Sequence, residues 1–240
     1  MSRFVQPNSV AATAIVVALC LIAPGQVLAQ SSPRQPDAKR GAVIAAQGTA
    51  QVPACAQCHA LTGASDSGGG AFPRIDGQSA YYLAKQMHDY TSSARANAIM
   101  SPIAKTLSAD EIADVAAYYA SVDSQFPQLA TADAAIVEKG RQLARVGDAA
   151  KTVQGCNNCH GPDGAGATPA IPYLAGQYAQ YISSQLQMWK RGMRNNSPES
   201  MAPIAKQLDD QQIAAIAAYY QQVRGDQQAP DTTDASAAKR

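Results

Sequence analysis

The sequence predicts an all-α protein built as two small helical bundles in tandem, each closed around a covalently attached group. Three observations carry this expectation. The pentapeptide Cys55-Ala56-Gln57-Cys58-His59 returns as Cys156-Asn157-Asn158-Cys159-His160. Helix-compatible segments recur in the same order around both copies. A methionine stands 41 residues after each motif histidine, Met100 after His59 and Met201 after His160.

Taken in order, Asp37 offers an N-cap to a helix over 38–47, with Gly41 in its interior, where glycine costs about 1 kcal/mol relative to Ala unless a close contact needs the missing side chain. Asp133 caps the counterpart, which carries Ile136, Gly140, Leu143 and Val146. The motifs follow, then the glycine-rich stretches 63–70 and 161–166. Phe72-Pro73-Arg74-Ile75 leads to Gly77-Gln78, and Ile171-Pro172-Tyr173-Leu174 leads to Gly176-Gln177. Helices over 79–90 and 178–189 place Tyr82, Leu83 and Gln86 in register with Tyr181, Ile182 and Gln185. Compensating length changes shift Gly77 to Gly176 by 99 residues, yet the methionines return to a shift of 101. The last helices start at Ser108, with Glu111 completing a capping box, and at Asp209, with Gln212 in the same role. Their apolar faces are Ile112, Val115, Ala116 and Tyr119 in one and Ile213, Ile216, Ala217 and Tyr220 in the other. The pairs Tyr118-Tyr119 and Tyr219-Tyr220 are the expected partners of the glycine-bearing helices.

A Cys-x-x-Cys-His run is the attachment signal for a c-type haem: the two thiols add across the porphyrin vinyl groups and the adjacent imidazole binds iron. Two intervening residues set Cys55 and Cys58, or Cys156 and Cys159, about one helical turn apart. Two copies predict two covalent haem c groups, with His59 and His160 as iron ligands. A zinc site or a redox dithiol are the competing readings. Zinc sites gather four Cys or His ligands, whereas each half offers three, and the one remaining histidine is His88. A thioether is a soft, neutral donor that favours ferrous iron, so Met100 and Met201 opposite the histidines would raise the reduction potential and close the site. Core filling is the commoner fate of a lone methionine, but Met87, Met188 and Met193 lack a methionine at their repeat positions, which sets Met100 and Met201 apart.

The N-terminus places Arg3 before the apolar stretch Val10 to Ala23 and then Val27-Leu28-Ala29, the pattern of a secretory signal covering residues 1–29. The apolar stretch is shorter than the ~20 residues of a spanning helix. Cys20 lies inside it, so the other four cysteines are all committed to the motifs. Export suits haem attachment and points to a bacterial periplasm. Loss of residues 1–29 removes Arg3 alone among charged residues, leaving 18 basic and 18 acidic residues. The propionates of two haems would make the holoprotein acidic, which argues against nucleic acid as a partner. The expected domains are 30–127 and 128–225, joined by a linker over 124–129 and followed by a polar tail over 226–240.

The two motifs, the Pro element before Gly-Gln, and a methionine followed two residues later by proline (Met100 and Pro102, Met201 and Pro203) together resemble the diheme cytochrome c4 family, tandem class I cytochrome c domains, over essentially all of the mature chain. The resemblance implies proximal ligands His59 and His160, distal ligands Met100 and Met201, and acceptance of the proximal imidazole N–H by the carbonyls of Pro73 and Pro172. It implies haems facing each other across the domain interface, and an electron carrier rather than an enzyme, serving a respiratory donor complex and a terminal oxidase or other acceptor. Peripheral membrane association is compatible with it. The rivals are a diheme redox enzyme of the peroxidase or thiosulfate-oxidising type, with His88 as its best support, and an electron-relay subunit of a dehydrogenase or oxidase complex. Lys190, Arg191 and Arg194 are read as a solvated helix face, with docking of an acidic partner as the alternative.

Overall fold

The glycines of the two long N-terminal helices set how each bundle closes. Helix α1 (Ala38–Gln47) starts at Asp37, whose carboxylate accepts from the Lys39 amide at 2.8 Å. It crosses α5 (Ala109–Ser121) so closely that a methyl group at Gly41 would overlap the Asp114 carbonyl. In the second half, α6 (Ala134–Arg145), capped by Asp133, crosses α10 (Asp210–Gln222), and a methyl at Gly140 would overlap the Ala215 carbonyl. Tyr118 and Tyr219 flank these crossings as expected, but the contact that demands glycine is a backbone carbonyl four residues earlier.

The computed structural model describes residues 1, 34–65, 67–123, 129 and 132–223. The signal sequence, the linker and the tail expected from the sequence lie outside these described residues, apart from isolated positions. Between the crossing helices come α2 (Ala56–His59), α3 (Ala80–Thr91) and α4 (Met100–Thr106) in the first half. Their counterparts are α7 (Asn157–His160), α8 (Ala179–Lys190) and α9 (Met201–Gln207). Both predicted capping boxes form: Ser108 with Glu111 and Asp209 with Gln212 each exchange side-chain and backbone hydrogen bonds. The all-α expectation acquires one addition, a two-residue antiparallel ribbon of β1 (Gly147–Asp148) and β2 (Val153–Gln154). It occupies a connection two residues longer than the matching one before Cys55, and Gln212 ties it to α10 through a 2.8 Å bond to Asp148.

The apolar core of the second half is built from Leu143, Ile182, Leu186, Leu208, Ile213 and Tyr220, with Trp189 at its edge. The corresponding cluster of the first half centres on Val52, Leu107 and Ile112. Ile136 and Val146, read as part of the helix face, point outward, at 46% and 79% exposure. Among the described residues no helix is long and apolar enough to cross a membrane.

Candidate haem-binding site

Each motif folds as one helical turn, with the first cysteine in helical conformation at its N-terminus and the histidine at its end. The two cysteines of each pair therefore stand on neighbouring turns of one short helix. His59 and His160 are buried, 8% and 7% exposed. The Nδ1 of His59 lies 3.1 Å from the Pro73 carbonyl, and that of His160 lies 2.9 Å from the Pro172 carbonyl. A carbonyl only accepts, so Nδ1 carries the proton and Nε2 keeps its lone pair. Burial pushes both histidines below their ordinary pKa, against the opposing pull of the proline carbonyls. Neutral imidazoles with a free Nε2 are what ligation of iron requires.

Tyr119 and Tyr220 steady the motif turns from behind. The Tyr119 hydroxyl donates to the Ala60 carbonyl at 3.0 Å, and the Tyr220 hydroxyl donates to Asn157 Oδ1 at 2.7 Å. Met100 and Met201 open their short helices, their amides held by Asn97 Oδ1 at 2.8 Å and by Ser197 Oγ at 3.3 Å. All eight residues singled out from the sequence, Cys55, Cys58, His59 and Met100 with Cys156, Cys159, His160 and Met201, line one continuous cavity of about 810 Å³. Met87 packs against the first core cluster, and His88 is exposed on α3.

The two halves meet through reciprocal polar contacts. Gln177 grips the backbone of Arg74 with both ends of its amide, accepting from its N–H at 2.9 Å and donating to its carbonyl at 2.7 Å. Gln78 does the same to Tyr173, at 3.3 and 3.5 Å. The repeated Gly-Gln pair is thus an interface element, and each glutamine clasps the residue after the proline that holds the other half's histidine. Nearby, the backbones of Arg95 and Arg194 pair as an antiparallel bridge. Arg95 donates to Gln86 of its own half and to Tyr181 and Gln185 of the other, at 3.0, 2.6 and 2.8 Å. Arg194 donates to its own Gln185 and to Gln86 across the interface, both at 2.8 Å, and reaches Tyr82 at 3.5 Å. Burial opposes ionisation of the Tyr181 hydroxyl, yet Arg95 and Arg194 beside it hold it below its ordinary pKa.

This corrects the reading of Lys190, Arg191 and Arg194 as one basic face. Arg194 is 2% exposed and its guanidinium lies 3.9 Å from the Trp189 ring centroid, while Lys190 bonds the Leu208 carbonyl at 2.6 Å. Only Arg191 is exposed on that face. Sequence reasoning missed Arg95, Arg194, Gln78 and Gln177 as functional residues. Their signal was recurrence at the 99-residue shift shared by Tyr82 with Tyr181 and Gln86 with Gln185.

Comparison with known proteins matches the cytochrome c family to residues 38–123 and again to 137–224. Cytochrome c4 of Pseudomonas aeruginosa is 38% identical over 180 residues, covering 74% of this chain and 87% of that protein. This chain belongs to the diheme cytochrome c4 family. A protein of Stutzerimonas stutzeri named as a thiosulfate dehydrogenase electron acceptor is also 38% identical, over 79% of this chain and 88% of its own. The crystal structure of reduced cytochrome c4 from Pseudomonas stutzeri superimposes with a TM-score of 0.69 at 29% identity, covering 79% of this chain and all of that one. As a cytochrome c4 family member the chain carries two covalently bound haem c groups and is an electron-transfer protein. The cavity fits that cofactor: its lining combines neutral imidazoles, thioethers and apolar side chains with the buried, unpartnered Nε of Arg95 and Nε1 of Trp189. Buried donors without a protein acceptor call for an acceptor on the bound group.

Proposed function

We propose that this protein is a periplasmic electron carrier, taking one electron per haem from a respiratory donor and passing it to a terminal oxidase or another acceptor. In this reading residues 1–29 are a cleaved leader, 30–127 and 128–225 are the two haem domains, and 226–240 is a tail. Cys55 and Cys58 would hold one haem and Cys156 and Cys159 the other, with His59 and Met100, and His160 and Met201, as the residues that would bind each iron. The bound haem supplies a reversible one-electron iron couple. The carbonyls of Pro73 and Pro172 keep the proton on Nδ1 and make Nε2 a stronger donor. Met100 and Met201 would supply the second donor to each iron, so that electron transfer would need no ligand exchange. The apolar lining favours the less charged ferrous state and keeps water away.

The observation that carries this reading is that both halves bring a histidine of the same hydrogen bonding and a methionine to one cavity. Neither half is specialised as an open catalytic site. The name of the Stutzerimonas stutzeri relative supports a thiosulfate-oxidising enzyme as one class of donor. Incubation of the purified holoprotein with thiosulfate plus an artificial electron acceptor, or with hydrogen peroxide plus an electron donor, tests the carrier against the enzyme. The carrier consumes neither substrate catalytically; sustained turnover of either would overturn the reading.

A further inference from the structure

At the centre of the interface the fold buries two positive charges together. Arg95 is 3% exposed and Arg194 2%, and their backbones are paired side by side. Their side-chain hydrogen bonds go to amide and hydroxyl oxygens of Gln86, Gln185, Tyr82, Tyr181 and Asn196, all neutral groups. The nearby carboxylate of Asp89 is engaged by Lys85 and Asn196, at 2.6 and 2.8 Å. Among the described residues neither arginine forms an ion pair. Contrast Arg74, buried nearby, which bonds Asp76 in bidentate fashion at 2.7 and 2.9 Å. A buried ion is retained when it is paired, and two like charges side by side raise that demand. Both arginines line the cavity that also holds the two haem motifs. The Nε of Arg95 and, against Arg194, the Nε1 of Trp189 have no protein acceptor.

We propose that Arg95 and Arg194 form one shared anion site that binds the propionate carboxylates of both haems, so that each arginine sets the reduction potential of both haems rather than of its own alone. The cross-over of contacts is what makes the site shared. Each guanidinium is held by the glutamine of its own half and by the glutamine and a tyrosine of the other. A guanidinium is a fixed planar fork suited to carboxylates, and it cannot lose its proton. Its charge therefore stays constant while iron changes from ferric to ferrous, and a positive charge beside the haem favours the ferrous form. Arg95 and Arg194 act in this as positioning residues, through the carboxylates and not on iron itself.

The proposal rests on the two-haem carrier reading, and potentiometric titration of the holoprotein tests it separately from that reading. Arg95→Gln and Arg194→Gln, checked for two haems per chain and for unchanged His/Met spectra, are each expected to lower both potentials. The reduced-to-oxidised ratio of each haem at a fixed ambient potential falls about tenfold, which is ~59 mV for one electron. A shift confined to the haem of the mutated half, or no shift, overturns the shared site. Should a glutamine variant fail to assemble, Arg95→Lys keeps the charge and loses the fork; it is expected to move both potentials by a smaller amount, and movement of one alone overturns the proposal. Carbon monoxide binding by the unmodified protein would instead count against the carrier reading, leaving the response of the two potentials to decide the role of the arginines.

Discussion

The two halves of this cytochrome differ most in the polar contacts that brace their helix crossings and the turns after their motifs. In the first half, the crossing of α1 and α5 is polar: Asp114, 1% exposed, accepts from the Asp37 amide at 2.7 Å and from Arg40 at 2.8 and 3.0 Å. In the second half, Ala215 stands in the place of Asp114 and Lys139 in that of Arg40, and the crossing of α6 and α10 joins a larger apolar core. The outer tyrosines differ as well. Tyr118 donates to the Leu61 carbonyl at 2.9 Å, whereas Tyr219 donates to the Asp163 carboxylate at 2.9 Å. Against this, the glycine crossings, the histidine–proline contacts, the place of the methionines at the start of their helices and the glutamine clasps are the same twice. The histidine–proline contacts and the clasps that join the halves are held constant, and the outer support is met by whichever chemistry stabilises the same crossing.

Substitutions can break the constant part. Met100→Ala or Met201→Ala is expected to lower the potential of one haem by on the order of 0.1 V, inside the ~0.8 V range that axial ligands command. Spectroelectrochemistry resolves the two couples; if neither moves in a given variant, that methionine is not a ligand. Next in size, Gly41→Ala and Gly140→Ala each drive a methyl group into a backbone carbonyl that cannot withdraw, at a cost of about 3 kcal/mol. Thermal unfolding should show similar losses for the two, since the crossings are alike.

The variable part predicts asymmetric effects. Asp114→Ala leaves the Asp37 amide without its acceptor and strips Arg40 of one of its two carboxylate partners, Asp37 remaining, and should cost about 2 kcal/mol. Denaturant unfolding of this variant should weaken the first half and spare the second. The smallest effect is a dependence on acid. The Tyr219 hydroxyl, followed by Arg145, holds the Asp163 carboxylate below its ordinary pKa. Its contribution is fully present above the ordinary carboxylate pKa of ~3.9 and is lost as pH falls through the lower folded value. For so exposed a pair this is about 0.5 kcal/mol or less. Asp163→Asn should remove that part of the acid sensitivity, whereas the corresponding bond of Tyr118 to a backbone carbonyl adds none.

How much of this was legible in the sequence follows from how local each signal is. Cys55 to His59 and Cys156 to His160 are contiguous, the methionines keep a fixed spacing, and the capping boxes span four residues. These need no knowledge of tertiary structure. The interface is different, because Gln177 meets Arg74 across 103 residues and Arg194 meets Gln86 across 108. Glutamine and arginine on an amphipathic helix or its end read as solvated positions, so the sequence places Arg194 on a surface that the fold buries. The repeat contained the missing clue, since polar residues facing water have no reason to recur in register. The ribbon of β1 and β2 was beyond reach for another reason: a two-residue strand has no periodicity to detect.

The visible spectrum of the purified, dithionite-reduced protein, taken before and after carbon monoxide, tests the central claim that both irons are closed by histidine and methionine. No change is expected at either haem. A shift in one of them would reveal an exchangeable position and contradict the claim that the two sites are equivalent and closed.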